Sequence, residues 1–196
     1  MQKKTEQTRD HILTVGRELI SAHGFNAMGL GLLLKHASVP KGSFYHYFSS
    51  KEDFGCKLLE LYVEAYHERL DTLWSKEGRT GREGLMEFFD QWIITQSPPG
   101  SKSQCLIVKL GAEVSDMSDA MRSILSKGAV GISDRLATQI RIGIKDSSLS
   151  DKIDSDATAS LLYQMWLGAS LLAKLEQSVE PFRMARRNSE MLLPTG

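Results

Sequence analysis

The sequence predicts an all-α protein of about nine helices, with an amino-terminal three-helix head and a helical body behind it. Three observations carry that expectation. Apolar residues recur at helical spacing along most of the chain, no β-branched run bounded by hairpin turns occurs, and turn-forming clusters fall where helices would end. The 196 residues include 24 basic and 24 acidic side chains and are 41% hydrophobic, which is the composition of a globular chain and not of a disordered or fibrous one.

From Thr5 to His23, residues Ile12, Val15, Leu19 and Ala22 mark one face of a helix, and Gly24 suits a left-handed cap after it. A second apolar run, Leu30 to Leu34, stops at His36-Ala37-Ser38, because Val39-Pro40 cannot continue a helix. Lys41 to Tyr47 reads as a third short helix. Ser49 lies three residues before Glu52, a capping-box spacing that predicts the start of a long fourth helix running to about Trp74. SKEGRTGREG (75–84), SPPG (97–100) and GIKDSSLSDK (143–152) read as loops. Between and after them, Leu85–Gln96, Gln104–Val114, Ala120–Ile142, Ala157–Leu175 and Phe182–Leu193 read as helices. The expected division is a helix-turn-helix domain over 1–50 and a sensing and dimerisation domain over 51–196.

Composition also bounds the setting. No apolar run is long enough to span a membrane, and the polar start MQKKTEQTRDH has no apolar core for a signal peptide, so a cytoplasmic protein without membrane contact is expected. Two cysteines, Cys56 and Cys105, are too few for a disulfide framework and are weighed as separate thiols. Charge is segregated: residues 1–51 hold seven Lys/Arg against three Asp/Glu, which leaves the head at +4 and the rest at −4. A basic tip suits a polyanion at one end of the molecule.

Two short helices joined by a tight turn have the geometry that places a recognition helix in the major groove, with the first helix as buttress. Lys41, Ser43, Tyr45 and His46 are the side chains such a helix would present, while Phe44 and Phe48, four apart, would face inward. The competing reading makes FYHYF an aromatic core segment and nothing more.

The stretch GFNAMGLGLLLKHASVPKGSFYHYFSSKEDF resembles the DNA-binding signature of the TetR family of bacterial transcriptional regulators, through Lys41-Gly42-Ser43, the aromatic run ending at Phe48, and Lys51 opening the fourth helix. The resemblance implies that Lys41, Gly42, Ser43 and Tyr45 approach base edges or sugar-phosphate, and that Tyr47 and Lys51 grip the backbone. It implies a homodimer on an inverted-repeat operator in double-stranded DNA, because one such helix reads only a few base pairs. Met28-Gly29 departs from the family's usual Thr or Ser, so backbone amides at Gly29, Leu30 or Gly31 would replace a side-chain phosphate contact. Ser38-Val39-Pro40 departs from its usual glycine-containing turn.

In the body, LLYQMWLGASLLAKL is apolar nearly all round, with small residues Gly168, Ala169 and Ser170 that allow close helix approach, so it is expected to be buried on two sides, and a central core helix in a monomer is the plain alternative; the resemblance to the TetR family implies that it and Phe182–Leu193 form the dimer interface. Cys105 follows a loop closely enough to sit at a helix amino end, where a thiolate is stabilised; a buried inert thiol is the plain alternative. Lys174 reads by itself as a lysine that leads its ammonium to water. GSKSQCLIVKLGAEVSDMSDAMRS and YQMWLGASLLAKLEQSVEPF are similar to electrophile-sensing members of the TetR family. That resemblance implies that Cys105 is a sensing thiol with Lys174 as its partner, and that a small reactive electrophile or oxidant is the inducer. Cys56 is read as packing.

A thiol-dependent enzyme is the rival class. All five histidines (11, 23, 36, 46 and 67) precede Cys105, and no hydrolase, metalloprotease, phosphate-loop or dinucleotide fingerprint occurs, so no enzyme activity and no cofactor are expected. Two cysteines 49 residues apart lack metal-ligand spacing. A regulator released by a non-covalent ligand is the second reading, with Met86, Phe88, Phe89, Trp92 and Trp166 as lining.

Overall fold

A computed structural model describes residues 2–96 and 105–196, with side chains from Glu6 onward. The described residues form helices α1 (Gln2–His23), α2 (Leu30–Ala37), α3 (Lys41–Tyr47), α4 (Lys51–Trp74), α5 (Gly81–Gln96), α6 (Leu106–Met117), α7 (Asp119–Lys145), α8 (Ser155–Glu176) and α9 (Glu180–Leu192), with no strand among them. The all-α expectation and the helix order hold. The SPPG loop and the expected start of the sixth helix at Gln104 lie outside the described residues.

Several helix boundaries differ by a few residues from those expected, and two of the shifts have local causes. The cap of α4 is one residue later than the Ser49–Glu52 spacing suggested. Ser50 Oγ accepts the Asp53 amide at 2.9 Å, and the Asp53 carboxylate accepts the amide and hydroxyl of Ser49 at 2.9 and 3.0 Å. Residues 81–84, expected in a loop, are the first turn of α5. Thr80 caps that turn: its amide and hydroxyl donate to Glu83 Oε2 at 2.9 and 3.1 Å, and its Oγ1 accepts the Glu83 amide at 3.2 Å. Gly81 is there for contact: a Cβ on it would come within 2.2 Å of the Gly143 nitrogen, so α5 meets the last turns of α7 backbone to backbone. Helix α7 runs on to Lys145, into the segment expected as loop.

The chain forms two compact units. The first gathers α1–α3, α4 to Glu64, α6 and the start of α7; the second holds the remainder of α4 and α7 with α5, α8 and α9. In the first, the fully buried side chains Ile12, Ile20, Met28, Leu33, Phe44 and Phe54 make the core under the head. In the second, Trp166 is wholly buried, stacked on Phe89 with ring centroids 4.8 Å apart and on Phe182 at 6.2 Å. Its indole N–H donates to Ser189 Oγ, and that of Trp92 to Ser170 Oγ, both at 2.9 Å. Ser170 is therefore small and polar because it accepts a buried indole proton.

Candidate nucleic-acid interface and thiol site

Helix α3 sorts its aromatic run by face. Phe44 and Phe48 are buried, with centroids 5.1 Å apart and 5.7 and 5.1 Å from Phe54 of α4, so three rings pin α3 to the head. Tyr45 is 49% exposed, and Lys41, Gly42 and His46 are exposed beside it, at the i, i+1, i+4 and i+5 positions of one outward face. FYHYF is thus a core segment on one side and a free face on the other. The Lys41 ammonium lies 5.9 Å from the Tyr45 ring centre. Ser43 and Tyr47 are half-buried, and Tyr47 sets its ring edge-on to His46 at 4.9 Å.

The α2–α3 turn closes without glycine. Ser38 takes the left-handed conformation (φ 53°), and Val39 N–H donates to Leu34 O at 3.2 Å, so the chain reverses and Pro40 starts α3. Gly29 caps α2 with no side-chain bond, and its own amide is used by Ala27 O at 3.0 Å. A Cβ at Gly29, Gly31 or Gly42 would meet nothing in the protein.

Lys51 opens α4 but turns inward. Its ammonium donates to Phe25 O at 2.8 Å and lies 4.6 Å over the Phe25 ring. Burial pulls its pKa below the usual lysine value, and the Glu113 carboxylate opposes that shift. Sequence reasoning passed over Glu113 and Lys109, which carry much of this geometry. The Glu113 carboxylate accepts the Phe25 and Asn26 amides at 3.2 and 2.5 Å, and the Lys109 ammonium donates to Ser21 O. In the sequence an i, i+4 pair of opposite charge on α6 reads as a surface ion pair, with no sign that each partner caps another element.

Cys105 is the N-cap of α6 and is 3% exposed. The next amide, Leu106 N–H, donates to Tyr62 Oη at 3.1 Å. Cys56 is half-buried on α4; burial raises its pKa first, and Glu52, Glu60 and Asp53 raise it further against Lys57. Neither cysteine is in a disulfide. Lys174 is exposed in the last turn of α8, in the second unit, whereas Cys105 belongs to the first. Phe88 and Trp92 line a cavity of about 300 Å³ with Tyr66, Arg69, Leu70 and Gln91. Met86, Phe89 and Trp166 are buried in the aromatic packing of the second unit. Among the described residues no three His, Cys, Asp or Glu gather as a metal site, and no helix is long and apolar enough to cross a membrane.

A helix-turn-helix head with an outward basic and aromatic face, joined to an all-α body, is the build of a DNA-binding regulator, and the chain belongs to the TetR family. Residues 12–54 match the family of bacterial regulatory proteins described as tetR, and residues 81–189 match the tetracyclin repressor-like C-terminal domain. The chain is 41% identical over all 196 residues to the HTH-type transcriptional repressor NemR of Escherichia coli strain K12, covering 98% of that protein. It is 32% identical to the transcriptional regulator AcuR of Cereibacter sphaeroides, over 90% of this chain and 80% of that one. The crystal structure of E. coli NemR in its reduced form superposes with a TM-score of 0.91 at 42% identity, over 97% of this chain and 98% of that one.

Proposed function

We propose that this protein is a cytoplasmic transcriptional repressor that binds an inverted-repeat operator as a homodimer and releases it when the Cys105 thiol reacts with an electrophile or oxidant. The head is residues 1–50 and the sensing and dimerising body 51–196. Lys41, Gly42, Tyr45 and His46 enter the groove, while Ser43 and Tyr47 meet sugar-phosphate at its edge. The openness around Gly29, Gly31 and Gly42 supports close approach by an outside backbone, since nothing in the protein itself needs those positions empty. With Lys51 turned inward, its part in DNA binding is to hold the head, and the phosphate grip falls to Tyr47 and to the free amides at the start of α2.

The observation that carries the sensing reading is the place of Cys105: a buried thiol at the N-cap position of α6, the helix whose side chains hold the head. A quinone or α,β-unsaturated carbonyl would take the thiolate at its electrophilic carbon, forming a C–S bond, while the proton lost by sulfur ends on the adduct. The added bulk cannot stay in a site sized for a thiol, so the amino end of α6 must move. Cys56, whose thiolate burial and three carboxylates disfavour, is not the sensor. The superposed E. coli NemR structure is that protein's reduced form, and this reading extends a redox-dependent state to the present chain. Loss of about 3 kcal/mol of binding free energy is enough for release by more than a hundredfold.

The test is operator binding by wild type and Cys105→Ser before and after a quinone, with mass spectrometry of the adduct. Wild type should lose affinity about a hundredfold on taking up one adduct at Cys105, and Cys105→Ser should bind as before and stay bound; a Cys105→Ser protein that still lets go places the trigger elsewhere. Lys174, the cation implied as partner of the thiol, is tested alongside: Lys174→Met should slow adduct formation. The cavity lined by Phe88 and Trp92 supports a second reading, release by a non-covalent ligand, for which Cys105→Ser would keep its full response to that ligand.

A further inference from the structure

The α1–α2 turn is held from two sides by charged side chains. Residues Ser21 to Asn26 include the last turn of α1, whose carbonyls have no partner in their own helix, and the reversal at Gly24 (φ 85°). Lys109 and Glu113, one turn apart on one face of α6, supply both kinds of partner. The ammonium takes the Ser21 carbonyl, and the carboxylate takes the Phe25 and Asn26 amides that follow. From the other side Lys51 at the start of α4 takes the Phe25 carbonyl, and its ammonium also attracts Glu113. The Phe25 ring below is buried against Gly55 and Met121, where even a methyl on Gly55 would come within 2.6 Å of it. A Cβ on Gly24 would lie 3.0 Å from Glu113 Oε2, so the left-handed glycine also leaves the carboxylate its place.

Such bonds are charge-assisted and directional, stronger than neutral ones. They do not merely pack α6 near the head; they fix it to the segment that joins the buttress helix α1 to α2. The thiol at the far end of the same short helix is buried, so displacement there moves a rigid element of only twelve residues. We infer that Glu113 and Lys109 are positioning residues that couple α6 to the DNA-binding head, so that displacement of α6 at Cys105 reaches α2 and α3 through the Ser21–Asn26 turn. This rests on the reading of Cys105 as trigger, and it adds the route and the residues that carry it.

The experiment compares operator affinity before and after reaction with N-ethylmaleimide in wild type, Glu113→Gln, Glu113→Ala and Lys109→Met, with thermal melting to confirm folding and mass spectrometry to confirm equal adduct. Wild type should weaken about a hundredfold on modification, and Glu113→Gln, which keeps the size of the side chain but not its charge, less than tenfold. A residue that merely props up the head would lower affinity in both states alike and leave the ratio unchanged. An unchanged ratio in the folded Glu113 variants and in Lys109→Met overturns the coupling. If wild type does not release at all, the thiol reading fails separately, and a reagent-free displacement then decides the coupling: Cys105→Trp forces bulk under the amino end of α6. That variant should lose at least tenfold in DNA affinity, and the C105W/E113Q pair should lose markedly less relative to E113Q alone. No loss in Cys105→Trp, or an equal loss in both backgrounds, overturns the coupling.

Discussion

Lys41 and Lys51 look alike in the sequence, each a cation beside the aromatic run, and the structure gives them opposite work. Lys41 is exposed on the outward face of α3, whereas the Lys51 ammonium is spent on Phe25 O. Lys41→Ala is therefore expected to weaken operator binding about tenfold and to change sequence preference, with folding stability unaltered. Lys51→Met is expected to cost about 1–2 kcal/mol of folding stability by stranding a buried carbonyl, and to change the salt dependence of DNA binding little. Chemical denaturation and a salt titration of gel-shift affinity separate the two. If Lys51→Met left stability intact and lowered the salt slope, Lys51 would be a phosphate contact instead.

At the scale of elements, helix starts are set by caps one residue wide. Thr80 and Glu83 make a reciprocal cap on α5, and Thr80→Ala is expected to cost about 1 kcal/mol. Gly81→Ala should cost more, about 3 kcal/mol, because its methyl would push against the backbone of Gly143 and neither helix can yield without breaking its own ladder. Thermal melting of both variants checks the order; equal shifts would mean that the α5–α7 approach is not tight. Helix caps and one ion pair between helices also set a pH dependence. The Ser49 amide holds Asp53 below its ordinary 3.8, the Arg135 side chain does the same for Asp71, and the Thr80 amide holds Glu83 below 4.5. A carboxylate whose folded pKa is depressed stabilises the fold fully above its unfolded value and loses that contribution as pH falls through the folded one. Thermal stability should thus stay level from pH 7 to about 5 and fall below about pH 4. A melting temperature that rose on acidification would contradict these assignments.

For the whole molecule, the apolar residues that α8 and α9 leave uncovered matter most. Leu161, Leu172 and Leu175 stand out from α8 at 49%, 48% and 70% exposure, with Gly168 between them and Met191 of α9 at 72%. Residues 161, 168 and 175 are spaced by sevens, the repeat by which one helix meets another. A face of this kind suits the homodimer proposed above and is expected to be its seam. Leu172→Glu with Leu175→Glu should give a monomer by light scattering, and operator affinity should drop at least a hundredfold because a single head reads one half-site. A double variant that stayed dimeric would place the seam elsewhere.

Much of this was legible in the chain itself, because it depends on local period and local chemistry. The helix order, the left-handed stop at Gly24, the break at Val39-Pro40 and the inward turn of Phe44 and Phe48 all follow from spacing and backbone sterics within a few residues. So does the signature of the head, which is carried by one short helix and the residues flanking it. Tertiary structure decided what depends on partners far along the chain. The start of α5 at Gly81 has a local signal in the Thr80–Glu83 cap, but that Gly81 and Gly84 must be glycine follows from close packing on residues some 60 positions away, and no window of sequence contains both sides of that contact. Lys51 and Glu113 likewise carry the same charge wherever they are, and only the folded chain determines that they are bound to the Ser21–Asn26 turn and not left to water.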